Sequence, residues 1–140
     1  KSELLCLTIK YPFTKVVVEE NLQAFRPGLS SAKTLMTLAQ FNGVIRWICH
    51  ADLNSEVESI NVNTARKTVG LKLDRKSKKK TKEQVWDWVN SQNSSDNSKI
   101  SWPYKTLKSG PNKGQTRLCN EAYDVADAYV IGKSYFLLKN

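Results

Sequence analysis

Asp124 and Asp127 stand three residues apart in a stretch that is otherwise small or apolar, with Ala122, Val125, Ala126, Ala128, Val130 and Ile131 around them. That spacing puts both carboxylates on one face of a helix. Two like charges a turn apart in an apolar helix need a cation, and the helix offers no lysine or arginine before Lys133. A divalent metal ion would serve. Glu19, which ends the apolar run Val16, Val17, Val18, is the third ligand expected. An all-oxygen set of Glu19, Asp124 and Asp127 suits Mg2+ or Mn2+. Two such ions about 3.5 to 4 Å apart can activate water and stabilise the leaving oxygen of a phosphodiester. With 13 acids in 140 residues, pairs at this spacing also arise on plain solvated helices. The weight therefore comes from the combination: an apolar helix, an acid ending an apolar strand, and a basic block between them.

That block holds most of the charge. Residues 66–82 carry nine cations, Arg66, Lys67, Lys72, Arg75, Lys76, Lys78, Lys79, Lys80 and Lys82, against one anion, Asp74. The segment is thus +8, and the rest of a chain whose net charge is +9 carries only +1. Its members repel one another in isolation and gain beside a polyanion, so nucleic acid is the expected partner, held with a steep salt dependence. A solubilising or localisation run is the alternative for Lys78, Lys79 and Lys80. Arg66, Lys67 and Lys82 lie at the edges of regular structure and are the candidates for specific phosphate contacts, whereas the lysines between them are expected to be mobile.

Composition narrows the class further. At 40% hydrophobic and 25% charged residues the chain is neither disordered nor fibrous, and its length suits one globular domain. Its longest apolar runs, such as Val16 to Val18 and Tyr129 to Ile131, fall far short of the roughly 20 residues of a membrane span. The start, Lys1, Ser2, Glu3, shows no export signal. Cys6, Cys49 and Cys119 are widely spaced, and with the single His50 they lack zinc-ligand spacing. Reduced thiols in an intracellular, cytoplasmic protein are the expectation.

The elements that must position these groups follow from periodicity. Residues 3–10 read as the end of an amphipathic helix closed by Pro12. Lys15 to Glu19 reads as a central strand covered on both faces, because three β-branched residues occur without alternation. After Arg26, Pro27 and Gly28 break the chain, Ser30 or Ser31 caps a long amphipathic helix to about His50, within which Gly43 is expected to permit a close approach. Val57 to Val62 alternates like a half-exposed strand. Thr81 is the expected cap of a helix with Val85, Trp86, Trp88 and Val89, followed by a polar loop over 90–98 and irregular chain over 100–114. Trp102 and Tyr104, among Lys99, Lys105, Lys108 and Lys113, either stack on bases or anchor that loop, and anchoring is the commoner use. Asn120 caps the last helix, with Glu121 favourably placed at its positive end.

Taken together these residues resemble the RuvC-type Holliday junction resolvases. Val16, Val17, Val18, Glu19 followed by Asn21, Leu22 is similar to the family strand that bears its second catalytic acid. Ser31, Ala32, Leu35, Leu38, Gln40, Asn42, Gly43, Val44 and Ile45 resemble its central, dimer-forming helix. Arg66, Lys67, Val69, Gly70 and then Lys82, Gln84, Val85 resemble its basic segment, while Asp124, Val125, Ala126, Asp127, Ala128 resemble its terminal acid pair most specifically. The resemblance implies an α/β, RNase H-like mixed sheet flanked by helices over residues 1–140, with residues 90–114 as a loop insertion of a phage or viral branch. It implies a homodimer that nicks branched, four-way DNA with Mg2+ or Mn2+, in a bacterial or phage-infected host. Glu19, Asp124 and Asp127 are then metal-binding catalytic residues, Lys82 and Lys67 contact the scissile region, and Arg66 rivals Lys67 for that role. Members of the family open with strands, the first bearing a catalytic Asp, that have no counterpart in this sequence, so these 140 residues alone are expected to cleave poorly. A non-catalytic DNA-binding protein and an RNase H-like nuclease of other substrates are the alternatives.

Overall fold

A computed structural model describes residues 6, 9–11, 13–20, 31–93 and 100–139. They form a mixed α/β protein of four helices and two small sheets: β1 (Lys15–Glu19), α1 (Ala32–Ala51), β2 (Glu56–Ile60), α2 (Val62–Thr68), α3 (Thr81–Asn93), β3 (Tyr104–Thr106), β4 (Thr116–Leu118) and α4 (Glu121–Lys139). Contacts divide the chain into two compact units, Lys1–Thr64 and Ala65–Asn140. Among the described residues no helix is long and apolar enough to cross a membrane.

In the first unit β1 and β2 pair in parallel, from Lys15 opposite Glu56 to Glu19 opposite Ile60. Backbone bonds extend the ladder at both ends, Glu56 N to Thr14 O at 2.9 Å and Glu20 N to Ile60 O at 2.9 Å. Lys15 Nζ reaches Glu56 at 2.9 Å and Glu58 at 3.1 Å across the strands. Parallel strands need a crossover, and α1 supplies it. Its cap is Ser31, whose Oγ accepts from Thr34 N at 3.1 Å. Several expectations change here. β1 is half-buried rather than covered on both faces, and among the described residues it pairs with β2 alone, so it is not a central strand. The second strand ends at Ile60 and Val62 opens α2 instead. Only Cys49 of α1 is buried, while Met36, Phe41, Val44 and Trp47 stand exposed. A Cβ at Gly43 would meet nothing within 4 Å, so that glycine serves no close approach. Of the helix expected over 3–10, residues 6, 9 and 10 are helical and the others lie outside the described residues, as do Asn21, Leu22 and the break at 26–28.

The second unit is built on α3 against α4. Val85 and Val89 are one helical turn apart, as are Ala122, Ala126 and Val130, and all five are fully buried. Small alanines let the helices approach closely, and each valine contributes about 1.5–3 kcal/mol by leaving water. α2 ends in a Schellman turn: Gly70 N bonds Lys67 O at 3.1 Å and Leu71 N bonds Arg66 O at 2.9 Å, with Gly70 at φ 76° and Leu71 buried beyond it. Helix α3 starts at Thr81 itself, one residue earlier than a cap at Thr81 would place it, so that Lys80 takes the capping position. The reciprocal contact that closes the first turn is Glu83 Oε2 accepting from Lys80 N at 2.8 Å. The expected loop over 90–114 is also revised, because α3 runs to Asn93 and β3 pairs antiparallel with β4. Residues 94–99 lie outside the described residues.

Candidate active site and nucleic-acid interface

The core face of α4 is set by Ala122, Ala126 and Val130, which leaves Tyr123, Asp124 and Asp127 on its flank. Asp124 is exposed. Asp127 is half-buried, with its side chain 31% exposed, and Arg66 of α2 reaches its Oδ1 through Nη2 at 3.0 Å. Lys82, on the first turn of α3, holds its Nζ 4.6 Å above the Tyr123 ring, beside Asp124 in sequence. Three helices therefore bring Arg66 to Asp127 and Lys82 to Tyr123 within one unit. The cation that the acid pair needs is met at Asp127 by a residue remote in sequence rather than demanded of a metal, and Asp124, Val125 and Ala128 show that this helix is open on one side. Arg66, not Lys67, is the residue brought to the pair; Lys67 points to solvent. The Arg66 Nε is buried without a hydrogen-bond partner, so its guanidinium is held chiefly through the Asp127 contact.

Glu19 ends β1 in the first unit, exposed at its side chain, with its backbone carbonyl accepting from Asn42 Nδ2 at 3.3 Å. The acid pair belongs to the second unit, and among the described residues no group of three His, Cys, Asp or Glu gathers as a metal site. What α4 does offer is a pair of hard oxygen donors on one face, one of them, Asp124, exposed, which fits Mg2+ or Mn2+ chemically. At Asp127 an incoming ion competes with Arg66 for one carboxylate oxygen. The three cysteines are free thiols; burial pushes the Cys49 thiol above its ordinary value, and Cys6 is exposed.

The basic segment is more ordered than expected. Asp74 accepts from Lys76 N at 2.8 Å, and Ser77 Oγ from Lys79 N at 3.1 Å. Gln84 of α3 clamps the segment, its Oε1 accepting from Asp74 N at 2.8 Å and its Nε2 donating to the Asp74 and Lys79 carbonyls at 3.0 Å. These hydrogen bonds close the turns from which the lysine side chains leave. Lys79 is committed to Asp87 at 2.6 Å, whose hydrogen bond and charge raise its pKa. Lys72, Arg75, Lys76, Lys78, Lys80 and Lys82 remain exposed.

Tyr123 and Asp87 were not singled out by sequence reasoning. Tyr123 lies four residues before Asp127, a spacing that puts it beside the acids, and Asp87 lies six after Thr81 where nothing local marks a lysine eight residues upstream as its partner. No protein-family model, curated protein or solved structure matches this chain.

Proposed function

We propose that the chain is an RNase H-like, metal-dependent endonuclease that cuts four-way DNA junctions as a homodimer, in keeping with its resemblance to RuvC-type resolvases. The observation that carries the reading is the pairing of Asp124 and Asp127 on one face of α4, with Arg66 and Lys82 drawn to that face and the +8 segment between them in sequence. A divalent ion bound by these carboxylates would supply an activated water and stabilise the leaving oxygen. Asp124 and Asp127 would hold it. Lys82 and Arg66 would neutralise the phosphate that reacts, and the exposed cations of 66–82 would hold the flanking backbone. The exposed apolar side chains Met36, Phe41, Val44 and Trp47 of α1 favour a second copy as their cover.

One observation favours a second reading, a DNA-binding protein without catalysis. Arg66 already neutralises Asp127, as in a self-sufficient structural pair. A synthetic four-way junction separates the two. In the full-length protein, Asp124→Asn should abolish Mn2+-dependent nicking by at least about a hundredfold while leaving junction affinity within about twofold. Nicking that survives both Asp124→Asn and Asp127→Asn removes the nuclease reading, and wild-type binding without any nicking selects the second.

A further inference from the structure

Charge outside the 66–82 block is not spread evenly, because residues 97–120 contain no acid at all. The structure folds the middle of this stretch into the β3–β4 hairpin, with Tyr104 opposite Leu118, Lys105 opposite Arg117 and Thr106 opposite Thr116. Lys105 and Arg117 thus face each other directly, both exposed, and among the described residues neither is paired with a carboxylate. Like charges directly across an antiparallel pair repel, so the ribbon alone is disfavoured by this placement. Alternation along the strands puts them on the face opposite Tyr104 and the half-buried Leu118. The hairpin is held firmly all the same. Its loop is laced by Leu107 N to Gln115 O at 3.0 Å and Gly114 N to Leu107 O at 2.9 Å, and Lys108 and Lys113 stand exposed on it. Its root is tied to α3 through Trp102, whose indole donates to Asn90 at 3.0 Å and meets Trp86 edge-on at 5.7 Å. Trp86 and Asn90 lie about 200° and 240° around α3 from Gln84, the residue that clamps the 66–82 segment. The hairpin is therefore a separate basic element, not a continuation of that block.

We propose that the Lys105/Arg117 face of this hairpin is a second contact for duplex DNA, a rigid basic ribbon whose two facing cations are relieved of their repulsion by backbone phosphates. A two-stranded ribbon also has the dimensions to follow a major groove. Lysines on exposed strand edges commonly serve only to block pairing with a neighbour, but that role does not call for two cations across from one another. The inference rests on DNA being the partner, as in the proposed function, but not on cleavage.

The test is fluorescence anisotropy of the full-length protein with a labelled DNA duplex and a four-way junction, over about 50 to 200 mM salt. Lys105→Gln/Arg117→Gln should weaken binding on the order of tenfold or more and reduce the log–log salt slope by about 2, with an unchanged or higher Tm. The charge-preserving Lys105→Arg/Arg117→Lys should retain affinity and slope. Unchanged binding in the Gln variant overturns the proposal, with or without aggregation of that variant. So does an equal loss in the charge-preserving one. Wild-type DNA binding without nicking sinks the nuclease reading and leaves the hairpin standing; no DNA binding at all sinks both.

Discussion

Arg66 and Asp127 illustrate how a carboxylate's partner is chosen. Within α4 no cation is available to Asp127, yet the Schellman turn at the end of α2 holds that helix so that Arg66 lies 3.0 Å away. Both side chains are only partly exposed, at 17% and 31%, so loss of one leaves the other poorly solvated. Arg66→Met should lower stability by about 1–2 kcal/mol, and Asp127→Asn by a similar amount. A double-mutant cycle read by denaturant unfolding should give a coupling of about 1 kcal/mol; additive losses would mean the pair contributes nothing. Mn2+ binding at the acid pair, followed by electron paramagnetic resonance, should tighten in Arg66→Met, because the competing guanidinium is gone.

At the scale of elements, two glycines with the same residue type have opposite roles. Gly43 sits inside α1 with open space at its Cβ position, so Gly43→Ala should stabilise by about 0.5–1 kcal/mol. Gly70 also has open space but holds φ 76°, which an L side chain adopts only with strain, and Gly70→Ala should destabilise by about 1 kcal/mol or more. Thermal unfolding of the two variants checks both signs, and shifts in the same direction would mean that the backbone conformation of one of the two glycines is misassigned. The Gly70 turn matters beyond stability. It directs the chain from Arg66 to the pinned basic segment, so its loss should also lower DNA affinity.

At the scale of the molecule, the apolar face of α1 makes a prediction about assembly. Phe41 is 62% and Trp47 64% exposed, unusual for side chains of this size in a helix otherwise poor in buried residues. If a second copy covers them, sedimentation should show a dimer that dissociates on dilution, and Phe41→Glu/Trp47→Glu should give a monomer of unchanged helix content. A wild-type monomer at about 100 μM would remove the homodimer from the proposed function, since a standard-size interface between copies holds well below that concentration.

Sequence patterning was enough for what depends on neighbours along the chain: the strand at Lys15–Glu19, a serine cap at Ser30 or Ser31, the acid pair sharing a helix face, and the concentration of charge in 66–82. Periodicity and capping are local, and a dozen residues carry them. Contacts between distant residues were not legible in this way. Arg66 and Asp127 are 61 positions apart, and Gln84 clamps turns 5 and 10 residues away from it. The hairpin escaped notice because its strands are three residues each, too short to show alternation, and Lys105 and Arg117 meet only once the register is set. Which cation answers which acid, and which cations are left facing one another, follows from how the helices pack and how the strands register, a three-dimensional choice that no local spacing encodes.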